Sequence, residues 1–156
     1  MSSIQVLRTE QKVPASMAEV WDFISSPNNL KDITPPEMGF TVTSAEDMSK
    51  MYAGMIITYK VKPVLNIPVT WVTEITAVKE NEYFVDEQRF GPYSLWHHKH
   101  FTKPIEGGVL MTDIIHYKLP FGVFGTIGIG FVKKKLNQIF NFRFKAVEEK
   151  FGKFKG

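Results

Sequence analysis

Phe84-Val-Asp-Glu-Gln-Arg-Phe-Gly-Pro-Tyr-Ser-Leu-Trp-His-His-Lys-His-Phe101 reads as two strands joined at Gly91-Pro92. With a period of two, Asp86, Gln88, Trp96, His98 and His100 share one side of a sheet, and Glu87, Arg89, His97 and Lys99 share the other. A sheet normally buries its less charged face. Here that face still carries an acid, an amide and two imidazoles. This marks either a polar-lined pocket or a polar network inside a core.

The flanking sequence extends the pattern in both directions. Strands are expected at about 39–47, 54–62, 67–79, 82–90, 94–105 and 108–119, separated by Gly54, Asn66-Ile-Pro68, Asn81, Gly91-Pro92 and Gly107-Gly108. Such short links imply an antiparallel meander. Pro63 falls at a strand end, where its missing donor is tolerated. Residues 4–13 alternate as a further strand, closed by Pro14. Ser16-Met-Ala-Glu19 is a capping box, and Met17, Val20, Trp21 and Ile24 follow at helical spacing, which predicts a helix of about ten residues. Ser26-Pro27 opens a second short helix, and Pro35-Pro36 stops it.

After Pro120, the run Phe121-Gly-Val-Phe-Gly-Thr-Ile-Gly-Ile-Gly130 lacks the spacing of a phosphate or dinucleotide loop and reads as a mobile apolar connection. A long helix then reaches about residue 151, with Val132, Leu136, Ile139, Phe140, Phe144, Val147 and Phe151 in one stripe. By helical angle Arg143 lies inside that stripe. The order is strand, two helices, six strands, long helix. The economical α+β solution is one curved antiparallel sheet of about seven strands wrapped around the last helix.

At 156 residues, positions 1–156 read as one domain. The absence of cysteine excludes disulfides, thiolate zinc sites and a cysteine nucleophile. The first residues carry no secretory pattern and no apolar run is long enough to span a bilayer, so cytoplasmic residence is expected. Lys133, Lys134, Lys135, Arg143, Lys145, Lys150, Lys153 and Lys155 crowd the last segment. A solvated helix face accounts for them better than a nucleic-acid surface, and no basic-aromatic RNA motif is present. Membrane contact by the glycine-rich run beside Lys133 to Lys135 is the weaker alternative.

Asn29-Leu-Lys-Asp-Ile-Thr-Pro-Pro36, Ile67-Pro-Val-Thr-Trp71, Phe84-Val-Asp-Glu-Gln88, Gly91-Pro92, Trp96-His-His-Lys-His-Phe101, Met111-Thr-Asp113 and Tyr117-Lys-Leu-Pro-Phe-Gly122 carry a resemblance. The chain resembles the helix-grip fold of the START-like (SRPBCC) superfamily, and more closely its bacterial polyketide cyclase/dehydrase-like ligand-binding branch. That superfamily mixes carriers, sensors and enzymes. The resemblance implies a deep cavity between sheet and C-terminal helix that holds an apolar or amphipathic small molecule; no cofactor is expected.

The charged residues assign the faces. Glu74 outward places Trp71, Thr73 and Ile75 inward; Glu87 and Arg89 outward place Phe84, Asp86, Gln88 and Phe90 inward. Lys99 outward turns Trp96, His98 and His100 in; His116 and Lys118 outward turn Met111, Asp113, Ile115, Tyr117 and Leu119 in. Asp86, His98, His100, Asp113 and Arg143 therefore converge, and buried carboxylates need such partners. Residues expected to contact a ligand are Trp71, Phe84, Gln88, Trp96, His98, His100, Tyr117, Phe140, Arg143 and Phe144, with Phe121 and Phe124 at the mouth.

His98, His100, Asp86 and Asp113 are the candidates for acid-base catalysis. No nucleophile accompanies them, because Ser94 is the only nearby serine and lies at a strand start. His98-x-His100 with a carboxylate has the donor types of a metal site, but the pair alone is a weak signal and no metal is expected. Three readings stay open: a carrier or sensor of a small hydrophobic or amphipathic molecule; a cyclase, dehydratase or isomerase using a His/Asp pair; and an interaction module with a filled cavity. The sequence leaves open whether the polar cluster is structural or functional, whether the chain is an enzyme, and its oligomeric state.

Overall fold

The computed structural model describes residues 3–44, 49–62, 66–120 and 125–156. Pro63, Phe121 and Phe124, singled out above, lie outside the described residues. Strand β1 (Gln5–Val13) leads to helix α1 (Met17–Ile24), then to two 3₁₀ turns at Pro27–Ile33 and Pro36–Met38. Strands β2 (Thr41–Val42), β3 (Ile56–Val61), β4 (Val69–Lys79), β5 (Tyr83–Phe90), β6 (Leu95–Ile105) and β7 (Gly108–Lys118) precede helix α2 (Gly125–Phe151).

The strands form one curved antiparallel sheet in the order β1-β7-β6-β5-β4-β3-β2. From β3 to β7 each strand pairs with its predecessor, the order of an antiparallel meander. Asn81, at φ 62°, and Gly107, at φ 80°, supply the left-handed residues of the β4–β5 and β6–β7 turns. The first strand closes the far edge by pairing with the last, Gln5 opposite Tyr117 and Val13 opposite Val109. This is the α+β helix-grip arrangement expected from the sequence.

Local chemistry sets the helix starts. Ser16 Oγ accepts from the Glu19 amide while the Glu19 carboxylate accepts from the Ser16 amide, so the capping box is complete. The second expected helix forms as the 3₁₀ turn at Pro27–Ile33, and Pro36, expected only as a stop, opens the next turn. Residues 125–130 are helical, not a mobile link. Their glycines lower intrinsic helix propensity, but propensity is a weak prior when a helix continues into a well-packed stripe.

Two bulges bend the middle of the sheet. The β4–β5 register shifts between Val72/Thr73, where Arg89 is the extra residue, and between Ile75/Ala77, where Thr76 is. The first corrects one face assignment. Phe90 was expected inside; it sits opposite Val72 and is 65% exposed, because one inserted residue sends the side chains beyond it to the other face. Arg89 also faces out and pairs with Glu74.

The interior holds two apolar clusters. One gathers α1 residues Val20, Trp21, Phe23 and Ile24 against Phe84, Val109, Met111 and Val147. The other joins Ile115, Tyr117 and Leu136 to Trp96, Ile139 and Phe140. Between Met111 and Ile115 on β7 stands Asp113, and the polar residues of β5, β6 and α2 meet it at that level.

Gly108 has the tightest backbone surroundings. A Cβ there would lie 1.9 Å from the Val13 carbonyl oxygen, which strand pairing holds in place. Gly108→Ala is expected to lower the free energy of unfolding by at least about 2 kcal/mol, against about 1 kcal/mol for the cap variant Ser16→Ala. Denaturant titration of the two variants checks the ranking.

Candidate functional site

The alternation of β5, β6 and β7 delivers four ionisable side chains to one place. Asp86 pairs in register with His98, and His100 pairs with Asp113. The side chains then cross the register. His98 Nε2 lies 2.7 Å from Asp113 Oδ1, and His100 Nε2 lies 2.6 Å from Asp86 Oδ2. His98 Nδ1 is 3.6 Å from Asp86, and His100 Nδ1 is 3.1 Å from Asp113. Each imidazole therefore spans both carboxylates.

The two rings stack with centroids 3.6 Å apart, and His100 stacks in turn on Phe84 at 4.0 Å. From α2, Arg143 Nη1 reaches Asp113 Oδ1 at 3.5 Å, while its guanidinium lies 4.8 Å from the Phe140 ring centre. Its Nε is buried and finds no hydrogen-bond partner among the described residues.

Burial and pairing compete at every member. Burial opposes the charge on Asp113, but hydrogen bonds from His100 and His98 outweigh it and hold the carboxyl well below the ordinary range. Burial likewise acts on Asp86, and the charge of His98, the His100 hydrogen bond and the charge of Arg143 bring it down. The histidines diverge. Burial and the neighbouring charge of His100 lower His98 despite two carboxylates, whereas for His100 the bonds to Asp113 and Asp86 overcome burial and raise it. The two imidazoles are thus pushed in opposite directions, His98 towards its neutral form and His100 towards its charged form. An imidazole pushed towards its neutral form is suited to accept a proton or a hydrogen bond.

The cluster forms the floor of a cavity of about 380 Å3 between the sheet and α2. Asp86, His98, His100 and Arg143 line it, as do Trp71, Phe84, Trp96 and Phe140. Asp113 lies behind this floor, bordering a smaller void of about 30 Å3. Above the floor the walls are aromatic. Tyr59 stacks on Trp71 at 5.9 Å, Trp71 meets Trp96 edge-on at 5.3 Å, and Phe40 and Tyr93 flank them. Exposed lining residues Glu37, Asn66, Phe131, Lys135 and Gln138 mark the opening, between the 3₁₀ turns and the first half of α2.

Three residues expected at the ligand are placed elsewhere. The Gln88 amide donates to the Tyr93 carbonyl at 2.6 Å and accepts from the Tyr93 amide at 3.2 Å, so it pins the β5–β6 turn. Tyr117 is buried in the second apolar cluster beneath Trp96. Phe144 sits at the edge of the helical stripe and is 42% exposed. Conversely, Tyr59, Phe40, Met38, Leu30 and Tyr93 line the cavity without having been singled out. Tyr59 was legible: Ile57, Tyr59 and Val61 alternate against the outward Lys60. Tyr93, in a turn, carries no periodic signal.

No family model matches the chain, and no curated protein matches its sequence. Solved structures do match in shape. A START superfamily protein from Mycobacterium smegmatis aligns with a TM-score of 0.68 at 14% identity, covering 94% of this chain and 96% of that one. TTHA0849 from Thermus thermophilus aligns at 0.67 and 19% identity, over 93% and 95%. CV1439 from Chromobacterium violaceum reaches 0.72 at 10% identity, over 96% and 99%. At such identities the likeness is one of fold.

The cluster links stability to acidity. Both carboxyls sit below their ordinary value, so the folded chain binds fewer protons than the unfolded one as pH falls. Their stabilisation is complete above about pH 4 and is lost as pH drops towards their folded values. Melting temperature measured against pH is expected to fall less steeply in acid for Asp113→Asn than for the parent. At neutral pH, Asp113→Ala is expected to cost about 3–5 kcal/mol, because it leaves Arg143 buried without its carboxylate and takes one of two carboxylate partners from each imidazole.

Proposed function

We propose that this START-like helix-grip chain binds a small hydrophobic or amphipathic molecule in the cavity between sheet and α2, as a carrier or sensor. The observation that carries this reading is the cavity itself: about 380 Å3, walled by Tyr59, Trp71, Trp96 and Phe140, open at one side and polar at its floor. Pockets for small molecules fall in the range of about 300–1,000 Å3 and combine apolar walls with a few placed polar groups. The walls supply affinity through apolar burial, and His98, His100 and Arg143 orient a polar end of the ligand. The same space weighs against an interaction module with a filled cavity. Phe131 beside Lys135 at the opening is the feature a membrane contact would use, and the cavity reading does not require it.

Acid-base catalysis of cyclase, dehydratase or isomerase type is the second reading, favoured by one observation. His98 faces the cavity, is pushed towards its neutral form by burial and by the neighbouring charge of His100, and is fixed from behind by Asp113 at 2.7 Å. That is the arrangement of a general base with its orienting carboxylate.

Native mass spectrometry of the protein from its source is expected to show a bound small molecule, and its identity selects compounds for tryptophan-fluorescence titration. Ile139→Trp, which fills the cavity from α2, is expected to weaken binding by at least about tenfold, or ~1.4 kcal/mol. Phe144→Ala, outside the cavity, is expected to leave it unchanged. A catalytic role predicts that His98→Ala abolishes turnover while binding stays within about tenfold of the parent. Equal loss of both identifies a binding residue.

A further inference from the structure

The four groups at the cavity floor are not equivalent. Asp113 meets one nitrogen of each imidazole, His98 Nε2 at 2.7 Å and His100 Nδ1 at 3.1 Å. The remaining nitrogens, His98 Nδ1 and His100 Nε2, both turn to Asp86 Oδ2, at 3.6 and 2.6 Å. One donor atom from each of Asp86, His98 and His100 lies within 4.8 Å of the other two, and these three residues line the large cavity while Asp113 stands behind them.

The geometry points to a divalent transition-metal site at the cavity floor, with Asp86, His98 and His100 as ligands and Asp113 as the outer carboxylate that orients both imidazoles. Metal-ligating histidines almost always give their second ring nitrogen to a carboxylate, carbonyl or water, which sets the tautomer and the ring angle. Here one carboxylate does so for two histidines at once. Stacking on Phe84 and packing beneath Phe140 further restrict the rings. Both separations from Asp86 are near those required, the His98 and His100 donors lie within 4.8 Å of each other, and the rings, stacked at 3.6 Å with 27° between planes, must tilt for both lone pairs to meet one ion. Bonds of about 2.0–2.1 Å in tetrahedral geometry place ligand atoms about 3.3 Å apart. The His98–Asp86 gap of 3.6 Å already matches this, and the His100–Asp86 hydrogen bond at 2.6 Å opens by less than an ångström.

Two imidazoles and a carboxylate, with no thiolate, suit Zn2+, Fe2+, Co2+ or Mn2+ rather than Cu+ or Ca2+. Arg143 approaches from the Asp113 side, at 3.5 Å. With both imidazoles neutral, as coordination requires, Asp86, Asp113 and Arg143 together leave one negative charge for the cation. Three protein ligands leave a coordination position towards the cavity, the pattern of a site that meets a substrate rather than one that only braces a fold.

The test needs the metal alone. The full chain, stripped with a chelator, is titrated calorimetrically with Zn2+ and followed by visible absorption with Co2+. One ion per chain is expected, with a cobalt spectrum of low-coordinate nitrogen and oxygen ligation. His98→Gln and His100→Gln are each expected to weaken Zn2+ by at least about a hundredfold, and Asp113→Asn by about 10–100-fold. His97 and His116, paired on the outer sheet face with ring centres 6.4 Å apart, provide the control. His97→Gln/His116→Gln is expected to leave binding intact. Absence of stoichiometric binding by the parent chain overturns the proposal. So does binding that survives His98→Gln/His100→Gln but is lost in the outer-face variant. Should the inner variants fail to fold, proton NMR of the parent with Co2+ decides: paramagnetic shifts belong on the two buried imidazoles, and shifts confined to His97 and His116 refute the site. Failure here leaves the ligand-binding reading standing, because Ile139→Trp tests the cavity without touching the metal ligands.

Discussion

Two imidazoles held between two carboxylates form the constraint on which the rest of the interior depends. A buried carboxylate without a partner costs several kcal/mol. Asp86, Asp113, His98, His100 and Arg143 can be buried only together. The five come from four elements: one from β5, two from β6, one from β7 and one from α2. Slipping any of those strands by a residue would send an ionisable group to the outer face and strand its partners inside. The network therefore discriminates between registers that apolar packing would separate less sharply, and it sets where α2 crosses the sheet.

The same network divides the interior. Val109 and Met111 on β7 belong to the cluster under α1, while Ile115 and Tyr117 belong to the cluster under the first half of α2, with Asp113 between them. On α2, Leu136 lies to one side of Arg143 and Val147 to the other. On the α1 side the void is only about 30 Å3. On the other side large aromatic rings lean on one another around open space. The cavity thus lies where rings from β3, β4, β6 and α2 meet above a polar floor, and that floor has hydrogen-bonding capacity with balanced charge.

Much of this was legible from single residues. The alternation of Trp96, His98 and His100 against Lys99, and of Asp113, Ile115 and Tyr117 against His116 and Lys118, is a property of the pleat and holds wherever a strand is regular. Arg143 could be placed above the sheet because an α-helix turns by a constant angle. The capping box at Ser16 and Glu19 is local chemistry closed within four residues. The failures have equally specific causes. Phe90 turned outward because Arg89 forms a bulge, and a bulge depends on the partner strand as much as on its own sequence. Gln88 has the right parity for the cavity, but the Tyr93 backbone lies closer and needs its amide. Gly125–Gly130 became helical because tertiary packing of the helix that follows outweighs weak local propensity.

The sequence by itself determined the order of the elements, the inward side of each strand and the identity of the ionisable groups that must meet. These follow from periodicity and from the cost of burying unpaired charge, both of which act along one element at a time. Only the tertiary structure decided which nitrogen faces which carboxylate, that Asp113 lies behind the histidines while Asp86 lies before them, and that about 380 Å3 remains open beside them. Those outcomes depend on crossings between four elements and on two bulges, where ångström differences decide between a sealed core and a site.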